Sequence, residues 1–174
     1  MSLSLQSTDF ELFDVPCRFA QERTALYARW KELQREAHPD RFAVQGGAAQ
    51  RLAMQWSVRI NEAYQRLKDP LQRAAYLCEL HGAPIRAEDN TAMPGAFLLQ
   101  QMEWREALDD AQAPQQLQAL ADEVERAQQV ALQRCGALLD EERDFPGAAQ
   151  QVRALMFIER FARSVADRQD QLEQ

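Results

Sequence analysis

Apolar residues recur at steps of three and four along most of this 174-residue chain, the spacing that lines one face of an α-helix. Between Ala20 and Ala37 the stripe is Leu26, Trp30, Leu33 and Ala37. Between Ala48 and Lys68 it is Ala53, Trp56, Ile60, Ala63 and Leu67. The two stripes are parted by the polar break His38-Pro39-Asp40-Arg41-Phe42. Proline donates no backbone hydrogen bond and disfavours helix in the residue before it, so the first helix is expected to end near Ala37 or His38. The connection to Gly47, with Gln45-Gly46-Gly47 as its flexible part, is long enough for the chain to turn back. The two stripes then bury each other in an antiparallel hairpin with His38, Pro39 and Asp40 at its open end.

The flanks extend this plan. Asp9 to Phe13 is too short to persist as a helix alone, so Phe10, Leu12 and Phe13 are expected to dock on the hairpin, with Pro16 closing the segment. Asp69 reads as an N-cap with Pro70 at the first helical position, predicting a helix to Leu80 that His81-Gly82-Ala83-Pro84 ends. Residues 83–95, mixed and proline-containing, form a linker. Helices are predicted over Ala96 to Ala111, Pro114 to Glu142 and Ala148 to Asp167 or beyond, with Arg143 to Gly147 as a turn. Short connections join these three into an antiparallel bundle. The chain is therefore expected to be all-α: a hairpin domain over 1–82, the linker 83–95, and a bundle over 96–174.

A helical hairpin with His-Pro-Asp in its connection resembles a J-domain, the module by which DnaJ-type co-chaperones engage a DnaK-type ATPase. Further residues resemble the HscB family of iron–sulfur co-chaperones: Asp9-Phe10-Glu11-Leu12-Phe13-Asp14-Val15-Pro16, Ile60-Asn61-Glu62-Ala63-Tyr64, Leu67-Lys68-Asp69-Pro70-Leu71, Arg73-Ala74, Tyr76-Leu77 and Leu80-His81-Gly82. The resemblance spans about residues 8 to 165. It implies that His38, Pro39 and Asp40, with the basic residues Arg29, Lys31, Arg35 and Arg41, meet a chaperone of the HscA kind. It also implies that an IscU-type scaffold is received further along the chain. One departure is Ala37, which stands where J-domains commonly carry an aromatic residue.

Composition narrows the alternatives. A hydrophobic share of 46% suffices for a core in a chain of this length. No run approaches the roughly 18 apolar residues of a membrane span, and Met1 to Phe10 lacks the pattern of a secretory signal, so a soluble cytoplasmic protein is expected. Residues 1–80 hold 11 basic and 10 acidic side chains, the remainder 9 and 17. The net charge of −7 thus lies in the second half, a balance that disfavours nucleic acid and favours a protein partner. Cys17, Cys78 and Cys135 form no C-x-x-C pair and, with His38 and His81, offer no metal-ligand spacing; no metal or cofactor is expected.

The charge on the first long helix has two readings. Glu22, Glu32 and Glu36 are interleaved with its basic residues, which suits a solvated face. J-domains, by resemblance, turn this face toward an acidic chaperone surface. In the second half, Phe97, Trp104, Leu108 and Ala111 share one face of their helix. Leu98, Leu99 and Met102 fall off it and run into Glu103, Glu106 and Asp110. Phe157 lies roughly 200° from Leu155 on the last helix. A broader buried face accounts for such residues; the resemblance instead makes Leu98, Leu99, Met102, Glu103, Glu106, Asp110 and Phe157 the surface that receives the scaffold. Catalysis is not expected, because no nucleophile, metal motif or phosphate loop accompanies His38. A general DnaJ-type co-chaperone is the rival reading, disfavoured by the lack of a Gly/Phe-rich segment and of C-x-x-C-x-G-x-G repeats.

Overall fold

The computed structural model describes residues 2–174, which form seven α-helices and one 3₁₀ turn with no strand among them. The helices are α1 (Asp9–Phe13), α2 (Arg23–Glu36), α3 (Gly47–Lys68), α4 (Pro70–Leu80), α5 (Gly95–Asp110), α6 (Pro114–Asp140) and α7 (Phe145–Glu173), with the 3₁₀ turn at Pro39–Gln45 between α2 and α3. None is long and apolar enough to cross a membrane. The chain parts into two compact units, Met1–Tyr76 and Leu77–Gln174, and the parting falls inside α4.

In the first unit α2 and α3 pack as the expected hairpin, and α1 lies against both. Thr8 starts α1 through a capping box: its hydroxyl accepts the Glu11 N–H while the Glu11 carboxylate accepts the Thr8 N–H. Phe10, Leu12 and Phe13 are each 1% exposed, and Phe10 stacks on Tyr76 with ring centres 5.8 Å apart. A polar anchor joins this apolar one. Asp9 is completely buried; its carboxylate accepts from Arg66 Nε at 2.6 Å and Nη2 at 2.9 Å and lies 2.7 Å from Arg59 Nη2. Hydrogen bonding to Asp9 raises the pKa of Arg66 further, against the lowering effect of its partial burial. Helix α2 begins three residues later than the stripe alone predicts, because Gln21 Nε2 turns back to the Pro16 and Arg18 carbonyls at 2.7 and 2.9 Å. That bond holds the approach to α2 as a loop.

In the second unit α6 and α7 pack along their length, and α5 closes the bundle. Trp104, Leu120, Val124, Ile158, Phe161 and Val165 form its core. The C-terminal turn of α4 ends in a Schellman arrangement, with the Ala83 N–H on the Cys78 carbonyl at 2.8 Å and the Gly82 N–H on the Glu79 carbonyl at 3.2 Å. Gly82 takes φ +79° there, a conformation glycine adopts without strain. Residues 83–94 have no regular structure, yet they are tied down: buried Arg153 donates to the Ile85 carbonyl at 2.9 Å and the Ala92 carbonyl at 3.1 Å. Burial pushes the thiols of Cys78 and Cys135 up to about 11 and about 12, which keeps both protonated at neutral pH. The expected turn at Arg143 to Gly147 is shorter than predicted. Helix α7 starts at Phe145, since Pro146 is tolerated in a first turn and Asp144 caps the Gly147 N–H at 3.0 Å.

Candidate functional site

The connection between α2 and α3 is an ordered 3₁₀ turn, with Pro39 in its first position and His38 as its N-cap. His38 Nδ1 accepts the Asp40 N–H at 3.2 Å, so a neutral ring carries its proton on Nε2. The His38 and Asp40 side chains are 59% and 90% exposed, with Nδ1 and Oδ2 3.7 Å apart. Arg41 Nη1 donates to the Arg35 carbonyl at 3.3 Å, which ties the turn to the last carbonyls of α2. The His-Pro-Asp tripeptide is thus presented on a short, pinned turn, with Arg35 and Arg41 beside it.

The basic residues of α2 do not share one face. Lys31 and Arg35 are four apart and exposed. Arg29 lies about 160° around the helix from Lys31; its side chain is 26% exposed and pairs with Glu32 at 2.8 Å, while its Nε is buried without a hydrogen-bond partner. The expected outer face of four basic residues reduces to Lys31, Arg35 and Arg41. A count at helical steps already separates Arg29 from the others, so this was legible in the sequence. Ala37 lines an apolar cleft of about 400 Å³ together with Leu12, Leu33, Phe42, Trp56 and Ile60, in the place where an aromatic side chain would add bulk.

On α5 the outer face is as expected. Leu98, Leu99 and Met102 are 51%, 62% and 69% exposed, on the side of the helix away from Trp104, which is 1% exposed and donates from Nε1 to Glu123 at 3.1 Å. Glu103, Glu106 and Asp110 are exposed on the same side. Phe157 does not share this exposure and is half-buried. It packs on the bundle core, edge-on to Phe97 at 5.7 Å and parallel to Phe161 at 6.0 Å, with the Arg105 guanidinium 5.5 Å over its ring. The buried face of α7 is wider than its Val152, Leu155, Ile158, Ala162 and Val165 stripe, because α7 packs against both α5 and α6. That is also why Phe161, absent from the stripe, is 6% exposed.

A helical hairpin presenting His-Pro-Asp in its connection is the architecture of a J-domain, the module that marks J-type co-chaperones. Residues 93–166 match the family model described as the HSCB C-terminal oligomerisation domain. The chain is 49% identical to the Co-chaperone protein HscB homolog of Burkholderia cenocepacia, over 98% of this chain and 99% of that one, and 48% identical, over the same shares, to that of Burkholderia thailandensis. Among solved structures it is similar to the chaperone HscB from Vibrio cholerae, with a TM-score of 0.81 at 35% identity over 95% of this chain and 99% of that one. The human co-chaperone HscB shares the fold, with a TM-score of 0.87 at 24% identity over 97% of this chain and 85% of that one. The chain belongs to the HscB family, J-type co-chaperones of iron–sulfur cluster biogenesis.

Proposed function

We propose that this protein brings an IscU-type scaffold to a DnaK-type chaperone of the HscA kind in the cytoplasm and stimulates that chaperone's ATPase, hydrolysing nothing itself. The observation that carries the reading is the pinned, exposed His38-Pro39-Asp40 turn, which contributes little to the hydrophobic core and is held ready for a partner. Such a turn acts by binding one state of the chaperone better than the other, which shifts the chaperone's populations toward the hydrolysing arrangement. Lys31, Arg35 and Arg41 supply a positive flank for an acidic chaperone surface. Leu98, Leu99 and Met102, fringed by Glu103, Glu106 and Asp110, supply an apolar patch for the scaffold, with Phe157 supporting it from the core.

Adding the purified protein to the chaperone should raise its ATPase rate, and His38→Gln should abolish the increase. Loss of the side-chain cap on Asp40 costs about 1 kcal/mol, so helix content stays as in the parent and the melt falls by only about 4 to 8 °C. A His38→Gln protein that stimulates like the parent would overturn the reading. Lys31→Ala with Arg35→Ala should weaken chaperone binding and flatten its salt dependence, since exposed charges act over a Debye length of about 8 Å at physiological ionic strength. Arg29→Ala should leave the salt slope as it was. Titrations at several salt concentrations distinguish a docking face from a merely solvated one.

A further inference from the structure

Helix α2 carries the residues proposed to meet the chaperone, yet it is thinly anchored by apolar contact. Of its 14 residues only Leu26 and Leu33 are buried. They are seven apart and so lie on nearly one line of the helix. Two side chains on a line hold a helix down but specify its roll about that line weakly. A polar seam supplies the missing constraint. Gln34 Nε2 donates to the Ser57 carbonyl at 3.1 Å and to Asn61 Oδ1 at 2.8 Å, and Gln34 Oε1 accepts the Ser57 hydroxyl at 2.8 Å. Trp30 Nε1 donates to the same Asn61 Oδ1 at 2.9 Å, with the Trp30 ring stacked on Tyr64 at 5.0 Å. Hydrogen bonds have a direction and a length, so this seam, part-buried at Ser57 and exposed at Asn61, favours one roll and register of α2 on α3 more sharply than apolar contact does.

The seam lies on the flank of α2 between the Leu26–Leu33 line and the Lys31–Arg35 side. Any roll of α2 would swing Lys31 and Arg35 and, through the Arg41 bond to the Arg35 carbonyl, carry the turn along. We propose that Gln34 and Asn61 are positioning residues for co-chaperone activity: they set the roll and register of α2 so that Lys31, Arg35 and His38-Pro39-Asp40 meet the chaperone as one surface. The inference rests on the proposed stimulation of a chaperone ATPase.

Both bonds to Asn61 end on Oδ1, so Asn61→Asp keeps both acceptors, whereas Asn61→Leu, of similar size, keeps neither. Gln34→Met removes the amide while preserving the length of the side chain, and serves if Asn61→Leu proves poorly folded. In the full-length protein, Asn61→Leu and Gln34→Met should lower the maximal chaperone stimulation about tenfold, a loss in keeping with misplacing a group without removing it. Asn61→Asp should retain the parent's activity, a rescue that bulk stability alone does not produce. Residual dipolar couplings of α2 amides, referenced to α3, should shift in Asn61→Leu and Gln34→Met and return in Asn61→Asp. Couplings that stay at parent values in both apolar variants overturn the inference, as does full stimulation by them when the parent stimulates. A parent that fails to stimulate overturns the functional reading and the seam's part in it, while the couplings still decide whether the seam sets α2.

Discussion

The double variant Leu98→Ala, Met102→Ala is expected to lose measurable binding to the proposed iron–sulfur scaffold while its thermal midpoint stays close to the parent's. Both side chains are more than half exposed, at 51% and 69%, so neither truncation opens a cavity in the bundle. Apolar anchors at the centre of an interface contribute about 2 kcal/mol each. Losing two therefore weakens binding by roughly a thousandfold, at about 1.4 kcal/mol per tenfold. Glu103, Glu106 and Asp110 stand at the rim, and removing them should mainly slow association. Phe157→Ala provides the contrast. It strips contacts from Phe97, Phe161 and Arg105, and because the ring is only partly buried the loss of stability should fall toward the lower end of the about 3 to 5 kcal/mol seen for core phenylalanines. Calorimetric titration with scaffold and denaturant melts separate the two effects. If the double variant bound scaffold like the parent, the proposed surface would be misplaced.

Asp9→Ala should destabilise the first unit by about 3 kcal/mol, the low end for breaking a buried ion pair from one side. The low end applies because the Arg66 side chain is 38% exposed and water can take up part of its charge, whereas that of Arg59 is 16% exposed. For a unit of this size the loss corresponds to a fall of roughly 12 °C or more in the midpoint. The effect is large for one short side chain because α1 has five residues and no stability of its own. With the carboxylate gone, two guanidinium groups face the place where α1 docks, and Phe10, Leu12 and Phe13 lose their seat. Replacing all three members together, Asp9→Leu with Arg59→Met and Arg66→Met, should recover most of the stability, since no charge is then left without its partner. Thermal melts of the single and triple variants test this, and a single variant as stable as the parent would show that apolar docking alone holds α1.

The elements of this fold differ in how far the sequence disclosed them. The helices, the break at His38-Pro39-Asp40 and the N-cap at Asp69 follow from local chemistry: apolar spacing, proline's missing N–H, and a short side-chain acceptor at a helix start. The outer patch of α5 was legible for the same reason, since one helix with Trp104 inward must carry Leu98, Leu99 and Met102 outward. Local chemistry failed where several elements converge on one residue. Phe157 and Phe161 are inward because α7 meets two neighbours, and a single stripe describes packing against one. Asp9 with Arg59 and Arg66, Trp30 and Gln34 with Asn61, and Arg153 with the carbonyls of Ile85 and Ala92 join groups 27 to 68 residues apart along the chain. Periodicity tells which way a side chain leaves its own helix, but which donor meets which acceptor depends on the distance and roll between helices, and those are set only when the whole core packs.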